Sequence, residues 1–173
     1  ESYAIAKIAG MKLCSALRIQ NNFDCFSLMP TNLYGPGDNY DSKNSHVFAS
    51  LIKKFVDAKI KKIDTVVCWG DGSPKREFMH VDDLGDACVF CLEYFKPIKN
   101  KSNLGDSFDN SYLNVGTGKD ITIYELANLI SKEVGYEGQI IWDKNMPNGT
   151  PQKKLDLNRI NNLGWDSKIS LKD

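Results

Sequence analysis

Tyr3 and Lys7 stand four residues apart near the start of the chain. On a helix that spacing puts both side chains on one face. An ammonium beside a phenol favours the phenolate and draws its pKa below the usual value of about 10. A phenol so tuned passes a proton to a carbonyl or alkoxide oxygen. Y-x-x-x-K by itself is a weak pattern, because a surface Tyr lying over a Lys stem has the same spacing. His46 and His80 are the two histidines, and an imidazole with its ordinary pKa of about 6.5 suits proton transfer near neutrality. His46 stands where a polar loop enters a helical pattern, so its ring projects from a helix start. His80 falls between a strand-like segment and a helix start and reads as a structural, hydrogen-bonded residue. Arg76, in P-K-R-E-F, offers a planar fork for phosphate oxygens.

The elements that must position these residues follow from periodicity. Ile5, Ile8, Ala9, Leu13, Ala16 and Leu17 predict a helix over residues 2–19. D-C-F-S-L-M at 24–29 predicts a short buried strand that stops at Pro30, followed by a loop, P-T-N-L-Y-G-P-G-D-N-Y-D-S-K-N-S. A second helix is expected from about His46 to Lys59, with Val47, Leu51, Phe55 and Ala58 on one face. T-V-V-C-W at 65–69 reads as a strand and G-D-G-S-P as a turn. Residues 82–95 read as a helix with Asp at its start, where the helix dipole favours negative charge. Residues 96–111 read as an exposed polar loop. Y-L-N-V-G reads as a strand, and Thr122 with Glu125 as a capping box for I-T-I-Y-E-L-A-N-L-I-S-K-E-V-G. Q-I-I-W at 139–142 is another strand. P-N-G-T-P-Q-K-K is a loop, and a short helix closes the chain around L-N-R-I-N-N-L-G-W. Strand and helix alternate, which argues for α/β architecture with parallel strands.

The chain has 173 residues, with 22 acidic side chains against 22 basic ones. Such a length holds one domain or two small interlocked ones and buries a real core. Zero net charge argues against a nucleic-acid module, and no apolar run approaches the roughly 18 residues of a membrane span. The opening, E-S-Y-A-I-A-K-I-A-G, is no signal peptide. It has no Met and starts inside a helical pattern, as expected of a piece of a longer protein. The cysteines are Cys14, Cys25, Cys68, Cys88 and Cys91. Their odd number and apolar neighbours fit reduced thiols in a cytoplasmic protein. Cys88 and Cys91 form a C-x-x-C with no second pair and no nearby His, so they read as buried core thiols and not as metal ligands. Lys53, Lys54, Lys59, Lys61 and Lys62 read as a solvated helix face, Lys54 excepted.

Beyond the Tyr/Lys pair the chain carries, in order, P-T-N-L-Y-G-P, S-H-V-F-A-S-L-I-K-K-F, W-G-D-G-S-P-K-R-E-F-M-H-V-D-D, Y-L-N-V-G-T-G and P-N-G-T-P-Q-K-K. Across essentially its whole length it resembles the C-terminal half of the extended short-chain dehydrogenase/reductase family. Within that family it looks most like the GDP-L-fucose synthase branch. The resemblance implies the C-terminal part of a Rossmann-type doubly wound parallel sheet plus a small α/β substrate-binding domain. Residues 1–36 and 78–118 would belong to the NADP-binding part, and 37–77 and 119–173 to the GDP-sugar part. The implied reaction is NADPH-dependent 3,5-epimerisation and 4-reduction of GDP-4-keto-6-deoxy-D-mannose.

The resemblance also implies roles. Tyr3 would donate a proton to the C4 oxygen, and Lys7 would bond the nicotinamide ribose. His46 would be the epimerisation acid/base, beside the cofactor. Pro30, Thr31, Asn32 and Leu33 would lie against the nicotinamide, with free N–H groups next to Pro30 for its carboxamide. Lys54, Trp69, Arg76, Asn148 and Lys153 would contact the GDP-sugar. Lys54 departs from a pattern that more often has Arg, and Asn148 from one that often has Asp. The Gly-rich phosphate cradle of a Rossmann domain has no counterpart here, and the family's second epimerisation residue, a Cys, precedes the Tyr. About 130 residues of the family enzyme are therefore expected to be missing, leaving apolar surface bare on the first helix and on D-C-F-S-L-M. This piece alone is expected to be inactive, and the whole enzyme to be a homodimer. Two alternatives stay open: another nucleotide-sugar epimerase or dehydratase of the superfamily, and a GDP-sugar-binding piece without catalysis.

Overall fold

Apolar spacing and helix-end signals account for most of the elements in the computed structural model, which describes residues 2–41, 44–97 and 111–172. The chain runs α1 (Ser2–Asn21), β1 (Ser27–Pro30), β2 (Asn32–Tyr34), α2 (Val47–Lys61), β3 (Thr65–Trp69), β4 (Lys75–His80) and α3 (Val81–Tyr94). It continues through β5 (Tyr112–Val115), β6 (Asp120–Thr122), α4 (Ile123–Val134), β7 (Gln139–Asp143), β8 (Gln152–Lys153) and α5 (Asn158–Asn162). The α/β class is as expected. β1 pairs with β5, β2 with β4, and β3 with β7, all parallel. β4 is the hub. Its first half is flanked by antiparallel β6 and parallel β8, and its second half by β2.

Helix ends follow their local chemistry. Thr122 caps α4 in a full capping box with Glu125, and Gly135 closes that helix in the left-handed conformation. His46 is the N-cap of α2, with extended backbone and no side-chain capping bond. His80 caps α3 by accepting from the Asp82 N–H through Nδ1.

Two clusters of buried side chains form the core. The first joins α2, α4, β3, β4 and the end of β2, with Leu51, Phe55, Val66, Phe78, Leu126 and Ile130 among its members. The second joins α3, β5 and α5 through Met79, Ala87, Cys91, Leu113, Val115 and Ile160. Phe78 and Met79 point into opposite clusters, as neighbouring residues on a strand must.

Several expectations change. The first strand begins at Ser27, not at Asp24, and includes Pro30. Pro is tolerated there because β1 ends at it and pairs along one edge among the described strands. P-T-N-L-Y-G-P is not all loop, since β4 recruits Asn32–Tyr34 as β2. P-N-G-T-P-Q-K-K likewise contains β8. Leu157, Ile160 and Trp165, expected with the GDP-sugar part, pack in the second cluster against Leu113 and Val115. Cys88 is exposed while Cys91 is buried, so the C-x-x-C is not a buried pair. The expected 96–111 loop falls mostly on residues 98–110, outside the described residues. No residue of α1 is buried.

Candidate active site

One open cleft of about 590 Å³ gathers residues from α1, the β1–β2 junction and the start of α2. Tyr3 lies on one side, Pro30, Thr31, Asn32 and Leu33 form the floor, and His46 stands at the far wall. Tyr3 and His46, 43 positions apart in the sequence, thus line one space. The Lys7 ammonium lies 5.4 Å from the centre of the Tyr3 ring, so the predicted pair shares a face of α1.

The floor is built by strand ends. Thr31 and Asn32 follow the carboxyl end of β1, where open α/β sheets place their ligands. Expectation and structure differ in one detail. The Thr31 N–H is not free for a ligand, because it donates to the Val115 carbonyl at 2.9 Å. The Thr31 hydroxyl and the Asn32 amide both donate to the Glu77 carbonyl, at 3.0 and 2.8 Å.

The His46 wall is held by aromatic packing. Tyr34 stacks on Phe48 with ring centres 4.5 Å apart, and His80 meets the Tyr34 ring edge-on at 5.3 Å. Tyr34, Phe48, Phe78 and Val81 all line the cleft. None of them carries a chemical signal in the sequence. The N-terminus of α2, through His46, Val47 and Phe48, also lines the cleft, and a helix N-terminus favours negative charge.

The other expected residues lie farther along α2 and around β4. Lys54 is eight residues past His46, about 12 Å along the helix axis. Its ammonium donates to the Val67 carbonyl at 3.1 Å and sits 5.9 Å from the Trp69 ring centre. Trp69 is 64% exposed, which rules out plain core packing for it. Cys68 beside it is buried, and burial pushes its thiol pKa up. Arg76 and Lys153 face each other in register across β4 and β8.

Asn148 reaches the turn after β3, where its Oδ1 accepts from the Asp71 N–H at 2.8 Å. Gly70 has φ +77°, and any side chain on it would run into that oxygen. The Asn148 NH2 offers a donor to a ligand. Ser73 above all, with Asn148, holds the Asp71 carboxyl below its ordinary value. The expected residues thus form two neighbourhoods: a cleft with Tyr3, Lys7, the 30–33 floor and His46, and a basic, aromatic region with Lys54, Trp69, Arg76, Asn148 and Lys153. Among the described residues no cluster of His, Cys, Asp and Glu is arranged to hold a metal ion. None of the helices described is long and apolar enough to cross a membrane.

A phenol, an imidazole and a helix N-terminus around one cleft suit proton transfer beside a carbonyl group. Known proteins are similar to this chain in sequence and fold. Residues 1–105 match the family model described as the NAD dependent epimerase/dehydratase family. GDP-L-fucose synthase 1 of Arabidopsis thaliana is 49% identical over all 173 residues, which cover 50% of that protein. GDP-L-fucose synthase of Escherichia coli K12 is 47% identical, with 99% of this chain and 52% of that one aligned. A GDP-6-OMe-4-keto-L-xylo-heptose reductase from Campylobacter jejuni superposes with a TM-score of 0.86 at 30% identity, over 99% of this chain and 57% of that one. The chain spans about half the length of the curated relatives it matches.

Proposed function

We propose a function from one premise: the chain belongs to the NAD dependent epimerase/dehydratase family. Its reading is the C-terminal portion of an NADPH-dependent epimerase-reductase that converts GDP-4-keto-6-deoxy-D-mannose to GDP-L-fucose. The observation that carries it is the single cleft shared by Tyr3, the 30–33 floor and His46. The names of the relatives, GDP-L-fucose synthases, supply the substrate class.

The residues suit a nicotinamide ring. The floor lies at a strand's carboxyl end, the Tyr3 side chain is exposed, and Lys7 stands on the same helix face. When bound, the reduced cofactor would supply a hydride, two electrons with one hydrogen, to C4. Tyr3 donates the proton that this oxygen gains. Before that, Tyr3 and the α2 N-terminus stabilise negative charge on the same oxygen while protons leave C3 and C5. His46, whose side chain is spent on no cap, serves as one acid/base group of that exchange, and inversion requires a second such group on the opposite face of the sugar. Lys54 and Arg76 supply positive charge to the diphosphate, and Lys153 lies in register with Arg76. Trp69 offers an exposed ring for the base or sugar, and the Asn148 NH2 a donor. An elongated ligand is needed to span the roughly 12 Å between His46 and Lys54, and a nucleoside diphosphate sugar is elongated. The thiols, all unpaired, suit a cytoplasmic setting.

The test is NADPH oxidation by the native gene product with GDP-4-keto-6-deoxy-D-mannose in deuterated buffer. The product is expected to carry deuterium at C3 and C5. Tyr3→Phe should slow reduction by about 10²–10⁴-fold, and His46→Gln should remove the label. A wild-type protein that consumes no NADPH with this substrate overturns the assignment.

A further inference from the structure

Glu77 sits in the middle of β4 with no solvent exposure. A buried carboxylate is costly unless it is fully hydrogen-bonded. Here Oε1 accepts from the N–H groups of Thr117 at 2.6 Å and Gly118 at 2.8 Å, and Oε2 accepts from the Leu155 N–H at 3.1 Å. Its main-chain carbonyl accepts from Thr31 Oγ1 and Asn32 Nδ2. One residue therefore ties together the β1–β2 junction, β4, the turn after β5 and the segment after β8. Gly116 leaves the room: any side chain there would run into Glu77 Oε1.

These segments carry the two ends of the site. Thr31 and Asn32 are cleft floor. Arg76 precedes Glu77, and Lys153 stands two residues before Leu155. β8 is a two-residue strand, too short to hold its register by ladder bonds alone. Charge-assisted bonds are about twice as strong as neutral ones, so the Leu155 contact is a strong point that keeps β8 beside β4. We propose that Glu77 is a positioning residue: it sets the Arg76–Lys153 pair against the Thr31–Asn32 floor and thereby fixes how a GDP-sugar spans the site. This rests on the reading of Arg76 and Lys153 as diphosphate contacts.

The chemistry of Glu77→Gln makes the idea testable. A carboxylate presents acceptors on both edges, whereas an amide presents an acceptor on one and a donor on the other. The variant must set its NH2 against either the Leu155 N–H or the Thr117 and Gly118 N–H groups. Two readouts apply to the native gene product: the dissociation constant for GDP by calorimetry, and amide hydrogen exchange at Leu155 and Lys75. Lys75 donates to the Pro151 carbonyl at the edge of β8. Glu77→Gln is expected to weaken GDP at least tenfold and to speed exchange at both amides. Leu126→Ala, which opens the first cluster, is expected to lose stability yet keep GDP affinity within twofold. Unchanged affinity together with unchanged exchange in Glu77→Gln overturns the proposal.

Should Glu77→Gln not fold, Thr31→Val and Thr31→Ser decide the matter with the carboxylate intact. Val lacks the donor to the Glu77 carbonyl and Ser keeps it, so weakened GDP binding in Val alone supports the link and equal binding in both overturns it. A wild-type protein that binds no GDP overturns the proposed function instead, and the exchange readout then decides the role of Glu77 by itself.

Discussion

Cys88 and Cys91 share a C-x-x-C spacing on α3 but not an environment. Asp83, Ala87 and Cys91 form the buried stripe of that helix at four-residue intervals, and Cys88 lies one residue round from it, in solvent. Burial, helped by the neighbouring Cys88 thiol, pushes the Cys91 pKa up to about 11. At pH 8 only about one Cys91 side chain in a thousand is then thiolate, the reactive form. Iodoacetamide at pH 8 is expected to modify Cys88 and to spare Cys91 and Cys68 until the protein is denatured, as read by peptide mass mapping. Equal labelling of Cys88 and Cys91 in the folded protein would mean that α3 opens readily. Spacing alone shows that two thiols are near one another and says nothing of which faces the core. Trp69 illustrates the same limit. Along β3 the side chains alternate, with Val66 and Cys68 inward and Val67 and Trp69 outward. The run T-V-V-C-W is apolar throughout, so neither face is marked in the sequence and the exposure of Trp69 comes from packing.

Elements with strong end signals were legible in the sequence, and elements held by a partner were not. The α4 box is the clearest signal. Thr122 Oγ1 accepts from the Glu125 N–H at 3.0 Å, and Glu125 Oε2 accepts from the Thr122 N–H at 2.9 Å. Thr122→Ala should cost about 1 kcal/mol of stability at neutral pH, measured by urea unfolding. The Thr122 hydroxyl, then its N–H, holds the Glu125 carboxyl below its ordinary value of 4.5. A carboxyl lowered in the folded state stabilises it above the unfolded value, and that part is lost as pH falls through the folded one. The Thr122→Ala penalty should therefore shrink between pH 7 and pH 3. A penalty independent of pH would remove the charged part of the cap. By contrast β2, β6 and β8 are two or three residues long. They exist because β4 offers them an edge, and no alternation or propensity in so few residues announces it. The same holds for the cleft: Tyr3, Lys7 and His46 carry readable chemistry, while Tyr34, Phe48 and Val81, which hold the wall, look like any core residues. Glu77 did carry a signal, a lone carboxylate directly before the apolar pair Phe78 and Met79.

At the scale of the whole molecule the two neighbourhoods of the site differ in how firmly they are held. His46, Lys54 and Arg76 stand on α2 and β4, which pack into the first cluster through Phe48, Leu51, Phe55 and Phe78. Tyr3 and Lys7 stand on α1, whose Ile5, Ile8, Leu13 and Ile19 are all more than half exposed. Among the described residues, the tertiary hydrogen bonds to α1 fall in its second half. Cys25 Sγ donates to the Cys14 carbonyl at 3.1 Å, and Arg18 bridges Asp24 at 2.8 Å and the Pro97 carbonyl at 3.0 Å. The turns that carry Tyr3 and Lys7 are thus held by helix bonds alone among the described residues. An isolated helix shorter than about 12–15 residues is marginal in water. Amides of residues 6–10 should therefore exchange within about tenfold of the free rate, and those of residues 126–131 in α4 at least a thousandfold more slowly. Arg18→Ala should extend fast exchange toward residue 17, since it removes both the Asp24 and the Pro97 contacts. Exchange in residues 6–10 as slow as in α4 would show that the apolar face of α1 is covered in solution. The Tyr3–Lys7 pair would then owe its rigidity to that cover and not to the helix that carries it.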